Sequence, residues 1–183
     1  MTSTATATKD TPGLTLPAPP VLSIHHPALR VTNAEVTRHF YEDVLGLPLT
    51  AACHFDDDGF GNPVDFMHIF HRMGDGDFVA FFDIPAKSDP APLAPYASTD
   101  LQMALKVSDE AELADIEGRL SADGHAYTGP VDKGFSRSIY LRDPSGLNLE
   151  ITAPVPQYDE ILKAEKAKAH NVLDAWIADN AAN

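Results

Sequence analysis

The stretch Ile139 to Glu150 reads Ile-Tyr-Leu-Arg-Asp-Pro-Ser-Gly-Leu-Asn-Leu-Glu. Ile139 and Tyr140 alternate faces as a strand requires, and Asp143-Pro144-Ser145-Gly146 supplies the proline and glycine of a tight turn. Leu147, Leu149 and Ile151 then return in a second strand. The spacing predicts a hairpin. Its returning strand sets Leu147, Leu149 and Ile151 on one face and Asn148 and Glu150 on the other, so the carboxylate projects away from the apolar layer. A charged side chain in mid-strand is either solvent-facing or salt-bridged, the common case, or belongs to a site.

Working outward, the same grammar recurs. Val21 to Val31 reads as a strand containing His25 and His26, and Thr32 with Glu35 forms a capping-box pattern. Val36, Phe40, Val44 and Leu45 make an apolar helical stripe that stops at Gly46. Strands follow at Leu47 to Cys53, Phe66 to Met73 and Phe78 to Ile84, with an acidic loop from Asp56 to Pro63. Residues 86–99, rich in proline, read as a linker. Beyond it come a strand at Leu101 to Val107, a helix capped by Asp109 with Glu112 and bearing Leu113, Ile116 and Leu120, then Ala126 to Thr128 and the hairpin.

Both halves are therefore βαβββ, and Ala28-Leu29-Arg30-Val31 aligns with Ala104-Leu105-Lys106-Val107 at a constant offset. Such an internal repeat decides the fold class. The expectation is an α+β domain over residues 21–155, with module one at 21–85 and module two at 100–154, the two forming a curved mixed sheet around a cavity. Residues 1–20 are expected to be a mobile tail. Residues 156–183 are expected to form a C-terminal helix whose stripe of Ile161, Leu162, Ala169, Val172, Leu173, Trp176 and Ile177 packs on the domain or on a partner subunit.

Composition sets the outer bounds. The 183 residues are 44% hydrophobic, enough for one well-cored domain. A net charge of −14 disfavours nucleic acid and anionic membrane surfaces. Cys53 stands alone, which rules out an intramolecular disulfide. The tail has no basic start followed by an apolar core, and no apolar run approaches the about 20 residues that span a bilayer. A cytoplasmic protein is expected.

The string Tyr140-x-x-Asp143-Pro144-x-Gly146-x-x-x-Glu150 resembles the C-terminal half of the extradiol ring-cleavage dioxygenase signature. That signature belongs to the superfamily of glyoxalases, bleomycin-resistance proteins and dioxygenases, the vicinal oxygen chelate proteins. Phe40-Tyr41-Glu42-Asp43-Val44-Leu45-Gly46-Leu47 also resembles a helix ending frequent in that family. The resemblance covers roughly Ser23 to Pro154. It implies metal ligands at His26, Gln102 and Glu150, with Phe81 at a fourth position, where it cannot coordinate and would instead wall the cavity. His25, next to His26 in a strand, would face the other way.

Departures from the dioxygenase pattern shape the functional reading. Gln102 stands where a second histidine is expected, and is either a weaker oxygen ligand or a hydrogen-bonding wall residue. Lys133 stands where the signature has a proton-carrying histidine. It is a carrier if burial lowers its pKa, and otherwise a surface lysine or a cation attracting an anionic substrate. Tyr140 matches, and its hydroxyl suits a bound oxyanion. The repeat sets His68 against Ser138 and Phe70 against Tyr140, so His68 is a substitute base, a substrate donor or a core histidine, while Phe70 and Ser138 line the substrate.

Three functions follow from the resemblance. The first is a metal-dependent enzyme on a small aromatic or oxygen-rich molecule, most like an extradiol dioxygenase with Fe(II), or with Mn, Zn or Ni. The second is a lyase or isomerase of glyoxalase or epimerase kind. The third is a metal-free ligand-binding protein of bleomycin-resistance kind. A homodimer is implied in each case.

Overall fold

The computed structural model describes residues 23–85 and 101–180; the expected tail at 1–20 and linker at 86–99 lie outside the described residues. Module one runs β1 (Ala28–Val31), α1 (Ala34–Arg38) with a π-helical continuation over His39–Val44, β2 (Leu49–Asp57), β3 (Pro63–Arg72) and β4 (Phe78–Asp83). Module two repeats the order as β5 (Met103–Lys106), α2 (Glu110–Ala122), β6 (Tyr127–Asp132), β7 (Ser136–Arg142) and β8 (Asn148–Pro154). Each module folds into a four-stranded mixed sheet, ordered β1-β4-β3-β2 and β5-β8-β7-β6, with one parallel pair in each. This is the α+β architecture that the repeat predicts.

Local signals explain the element ends. The cap of α1 is Asn33, whose Oδ1 accepts from Val36 N at 2.9 Å, and not Thr32, whose backbone N–H instead donates to Ser145 Oγ at 3.1 Å. Asp83 Oδ2 accepts Ala34 N at 2.7 Å and fastens the helix start to β4. Asp109 caps α2 as expected, accepting from Ala111 N and Glu112 N. Its far end closes when His125 N donates to Leu120 O and Gly124 N to Ser121 O, with Gly124 at φ +81° in the left-handed region glycine tolerates.

Alternation sorts each sheet into a helix face and a far face. Ile69, Val79 and Phe81 of module one pack with Phe40, Tyr41 and Val44, and Ile139, Leu149 and Ile151 of module two pack with Leu113, Ile116 and Leu120, in one core. Burying each large apolar side chain stabilises by about 1.5–3 kcal/mol, so this layer fixes the register. With Leu149 and Ile151 held inside, Glu150 must point to the far face. The C-terminal segment folds as α3 (Tyr158–Asn180) and carries the expected apolar stripe. No helix among the described residues is long and apolar enough to cross a membrane.

Candidate functional site

Strand pairing shows which positions of the two modules correspond. Phe70 pairs with Ala80 in module one as Tyr140 pairs with Glu150 in module two, and His68 pairs with Phe82 as Ser138 pairs with Thr152. Ala28 lies beside Ala80 as Ala104 lies beside Glu150. The counterpart of Glu150 is therefore Ala80, and the placement of Phe81 at that position is one residue out. Phe81 is fully buried on the helix face with its ring 4.4 Å from that of Tyr41, so it does not wall a far-face cavity. Phe82 is the aromatic on the His68 face, 4.2 Å between ring centroids.

Module two gathers most of the expected site residues around Glu150. The carboxylate is 8% exposed; Lys133 Nζ donates to its Oε1 at 3.0 Å and Gln102 Nε2 to its Oε2 at 2.6 Å. Lys133 also sits 5.0 Å from the centre of the Tyr140 ring, a cation over an aromatic face. The Ser138 hydroxyl, fully buried, lies 2.9 Å from Thr152 Oγ1. Burial alone would push the Glu150 pKa up, but hydrogen bonds from Ser138, Lys133 and Tyr140 and the lysine's charge outweigh it and hold the group below the ordinary range. Glu150 is thus an ionised carboxylate with matched donors.

The Lys133 pKa moves the other way from what a proton carrier needs. Its hydrogen bonds to Tyr140 and Glu150 raise it, so Lys133 stays an ammonium at neutral pH. The alternative of a cation at the site is the one this arrangement supports.

Module one presents aromatic and imidazole rings on the corresponding face. His68 is sandwiched between Phe70, at 4.1 Å, and Phe82, and His26 lies 5.4 Å from Phe70 and 6.0 Å from His68. His68 Nε2 is buried without a hydrogen-bond partner, and burial together with the nearby His26 lowers its pKa. His25 does not face away from His26. Their Nδ1 atoms are 2.7 Å apart and His25 packs on Phe78, while the His25 and Pro27 carbonyls accept from Phe78 N and Ala80 N of β4 just ahead of β1. His71 turns to the helix face, with its Nδ1 on Leu47 O.

The Asp-Pro-x-Gly part of the signature does structural work. Buried Asp143 accepts from Ser145 N and Leu147 N through Oδ1, which closes the turn, while Oδ2 accepts the Tyr41 hydroxyl of module one at 3.2 Å. With Ser145 receiving the Thr32 N–H, the turn ties the two modules together. The signature therefore combines a clamp, Asp143 to Gly146, with two residues that β7 and β8 set side by side, Tyr140 and Glu150.

The donor set can be tested against a divalent metal. Glu150 and Gln102 meet, but an ionised carboxylate only accepts, so Gln102 must turn its N–H₂ toward Glu150 and its carbonyl away. The other carboxylate oxygen faces an ammonium. No three His, Cys, Asp or Glu side chains among the described residues converge as a metal site. With the Lys133 ammonium on Oε1 and the Gln102 N–H₂ on Oε2, both oxygens of Glu150 face donors, an arrangement that does not fit a divalent ion on this carboxylate.

Residues 23–151 match the Glyoxalase/Bleomycin resistance protein/Dioxygenase superfamily, and the chain belongs to it. Its fold is similar to that of a glyoxylase/bleomycin resistance protein/dioxygenase domain from Frankia sp. EAN1pec, at TM-score 0.59 and 17% identity, over 76% of this chain and 98% of that one. Lactoylglutathione lyase from Agrobacterium tumefaciens is similar at TM-score 0.52 and 22% identity, over 74% and 96% of the two chains. An antibiotic-binding protein from Streptomyces sp. CB03234 is similar at 0.50 and 20%, over 74% and 98%. No curated protein matches the chain in sequence. At these identities the likeness concerns the fold, and one fold carries names of enzymes and of a binder.

Proposed function

We propose that the chain binds a small, oxygen-rich aromatic molecule and polarises one of its oxygens with Lys133 and Tyr140, in the manner of a lyase or isomerase. The observation that carries this reading is the ionised, nearly buried Glu150 with Lys133 and Tyr140 beside it. Perturbed, mutually paired ionisable groups of this kind mark functional sites. In this reading Glu150 orients Lys133, and the ammonium and the Tyr140 hydroxyl stabilise a phenolate or enolate oxygen through charge-assisted hydrogen bonds. Ser138 and Gln102 hold the carboxylate. His68, kept neutral by its surroundings and with a buried unpartnered Nε2, is the group that takes up a proton. Phe70 and Phe82 supply an aromatic wall.

A ring-cleaving dioxygenase with Fe(II) on His26, Gln102 and Glu150 is the second reading, favoured by the contact of Gln102 with Glu150 beside Tyr140. It requires Lys133 to leave the carboxylate and the Gln102 amide to turn over. The experiment that separates the readings titrates the coloured probe 4-nitrocatechol into protein held in excess chelator, followed by its absorbance. The expected result is binding without metal, weakened tenfold or more in Lys133→Met and in Tyr140→Phe. Binding that appears only on adding Fe(II), with ring-opened yellow product from catechol under air, would overturn the first reading in favour of the second.

A further inference from the structure

We infer that Lys133 is a built-in replacement for a metal cation at Glu150, so that this member of the superfamily has exchanged a divalent ion for its own ammonium. Three observations carry the inference. Lys133 Nζ stands 3.0 Å from Glu150 Oε1, the contact a cation would take. Gln102, on the neighbouring strand end, donates into the second oxygen of the same carboxylate at 2.6 Å, so both oxygens of Glu150 already have a partner. The lysine is also held in place: its own N–H donates to Ser136 O at 2.9 Å across the β6–β7 turn, and Gly134 N donates to Asp132 Oδ1 at 2.7 Å.

Module one supplies an internal comparison. Where module two has Glu150, module one has Ala80. The module that holds the buried carboxylate is the one whose β6–β7 turn delivers a lysine to it. The chemistry differs from that of a metal. An ammonium offers three N–H donors and a single charge; with one donor on Glu150 and the charge over the Tyr140 ring, donor capacity remains for a ligand oxygen. It has no open coordination positions for chelating two ligand oxygens or for O₂.

The inference concerns the cation and does not depend on which small molecule the site takes. Its test uses Co(II) as the probe, titrated calorimetrically into wild type, Lys133→Met, Lys133→Gln and the double variant Lys133→Met/Glu150→Gln, with circular dichroism to compare folding. Wild type should bind Co(II) at least tenfold more weakly than either single variant, and the double variant should lose the gain. Where one lysine variant fails to fold, the other decides. Wild type binding one Co(II) per chain as tightly as the lysine variants, or neither folded lysine variant gaining affinity, would overturn the inference. This outcome is distinguishable from failure of the proposed function, which is read from 4-nitrocatechol in chelator.

Discussion

The two modules lay equivalent strands in equivalent order, yet their far faces carry opposite chemistry. Module two presents Gln102, Lys133, Ser138, Tyr140 and Glu150, a polar set in which each group answers another. Module one presents His26, His68, Phe70, Ala80 and Phe82 at or beside the corresponding positions, a set of rings around an alanine. The difference teaches that the backbone of the repeat does not dictate a carboxylate site. A buried charge persists only where its donors come with it.

The largest expected effect comes from giving module one the carboxylate without its partners. Ala80 is fully buried, so Ala80→Glu should cost about 3–5 kcal/mol at neutral pH in denaturant unfolding. Desolvation would raise the new group's pKa, so the deficit should shrink as the pH falls and the group protonates. A loss below about 1 kcal/mol would show that module one can host the charge and would erase the contrast between the faces.

Removing the cation from module two should cost less. Lys133→Met leaves Glu150 with Gln102, Ser138 and Tyr140, and Lys133 is 34% exposed, so screening reduces the loss to about 1–2 kcal/mol. The pH dependence sharpens the point. Because the folded-state pKa of Glu150 lies below its ordinary 4.5, its contribution is present above that value and is lost as pH falls through the folded pKa. Urea melts between neutral and acid pH should show this loss in wild type and a smaller one in Lys133→Met.

The clamp between modules should be weaker still. Tyr41→Phe removes a buried hydroxyl donated to Asp143, which keeps its two backbone N–H donors, and should cost about 1 kcal/mol. An unchanged melting temperature would mean that the turn does not fasten the modules through this bond. The smallest effect is spectroscopic. In a proton NMR titration His68 should titrate below 6.5, because burial and His26 disfavour its cation, and His39 above 6.5, because Asp43 and Asp123 stabilise it. The reverse order would contradict the placement of His68 in the aromatic sandwich.

Much of this was legible in the residues themselves. Leu147, Leu149 and Ile151 against Asn148 and Glu150 reveal both the hairpin and the face of the carboxylate, and the repeat sets Gln102 near Glu150. Three features follow rules that local spacing does not carry. Phe81 lies one position from the residue that answers Glu150, because the parallel β1–β4 and β5–β8 pairs fix that residue as Ala80; the register that matches Phe70 with Tyr140 also matches Ala80 with Glu150 and is the signal available in the repeat. His25 and His26 stand ahead of β1, and the 2.7 Å contact between their rings is a side-chain arrangement that strand alternation does not disclose. The reach of Lys133 to Glu150 depends on the turn between β6 and β7 and on an irregularity between Thr128 and Val131 that shifts their register, which no periodicity discloses.

The central claim is that Glu150 already has its cation. A crystal structure of the full chain soaked in Co(II), with anomalous scattering recorded at the cobalt edge, tests it most directly. Lys133 Nζ is expected within about 3.2 Å of Glu150, hydrogen-bond range, with no anomalous peak beside that carboxylate. A peak bridging His26, Gln102 and Glu150, with Lys133 swung away, would contradict it.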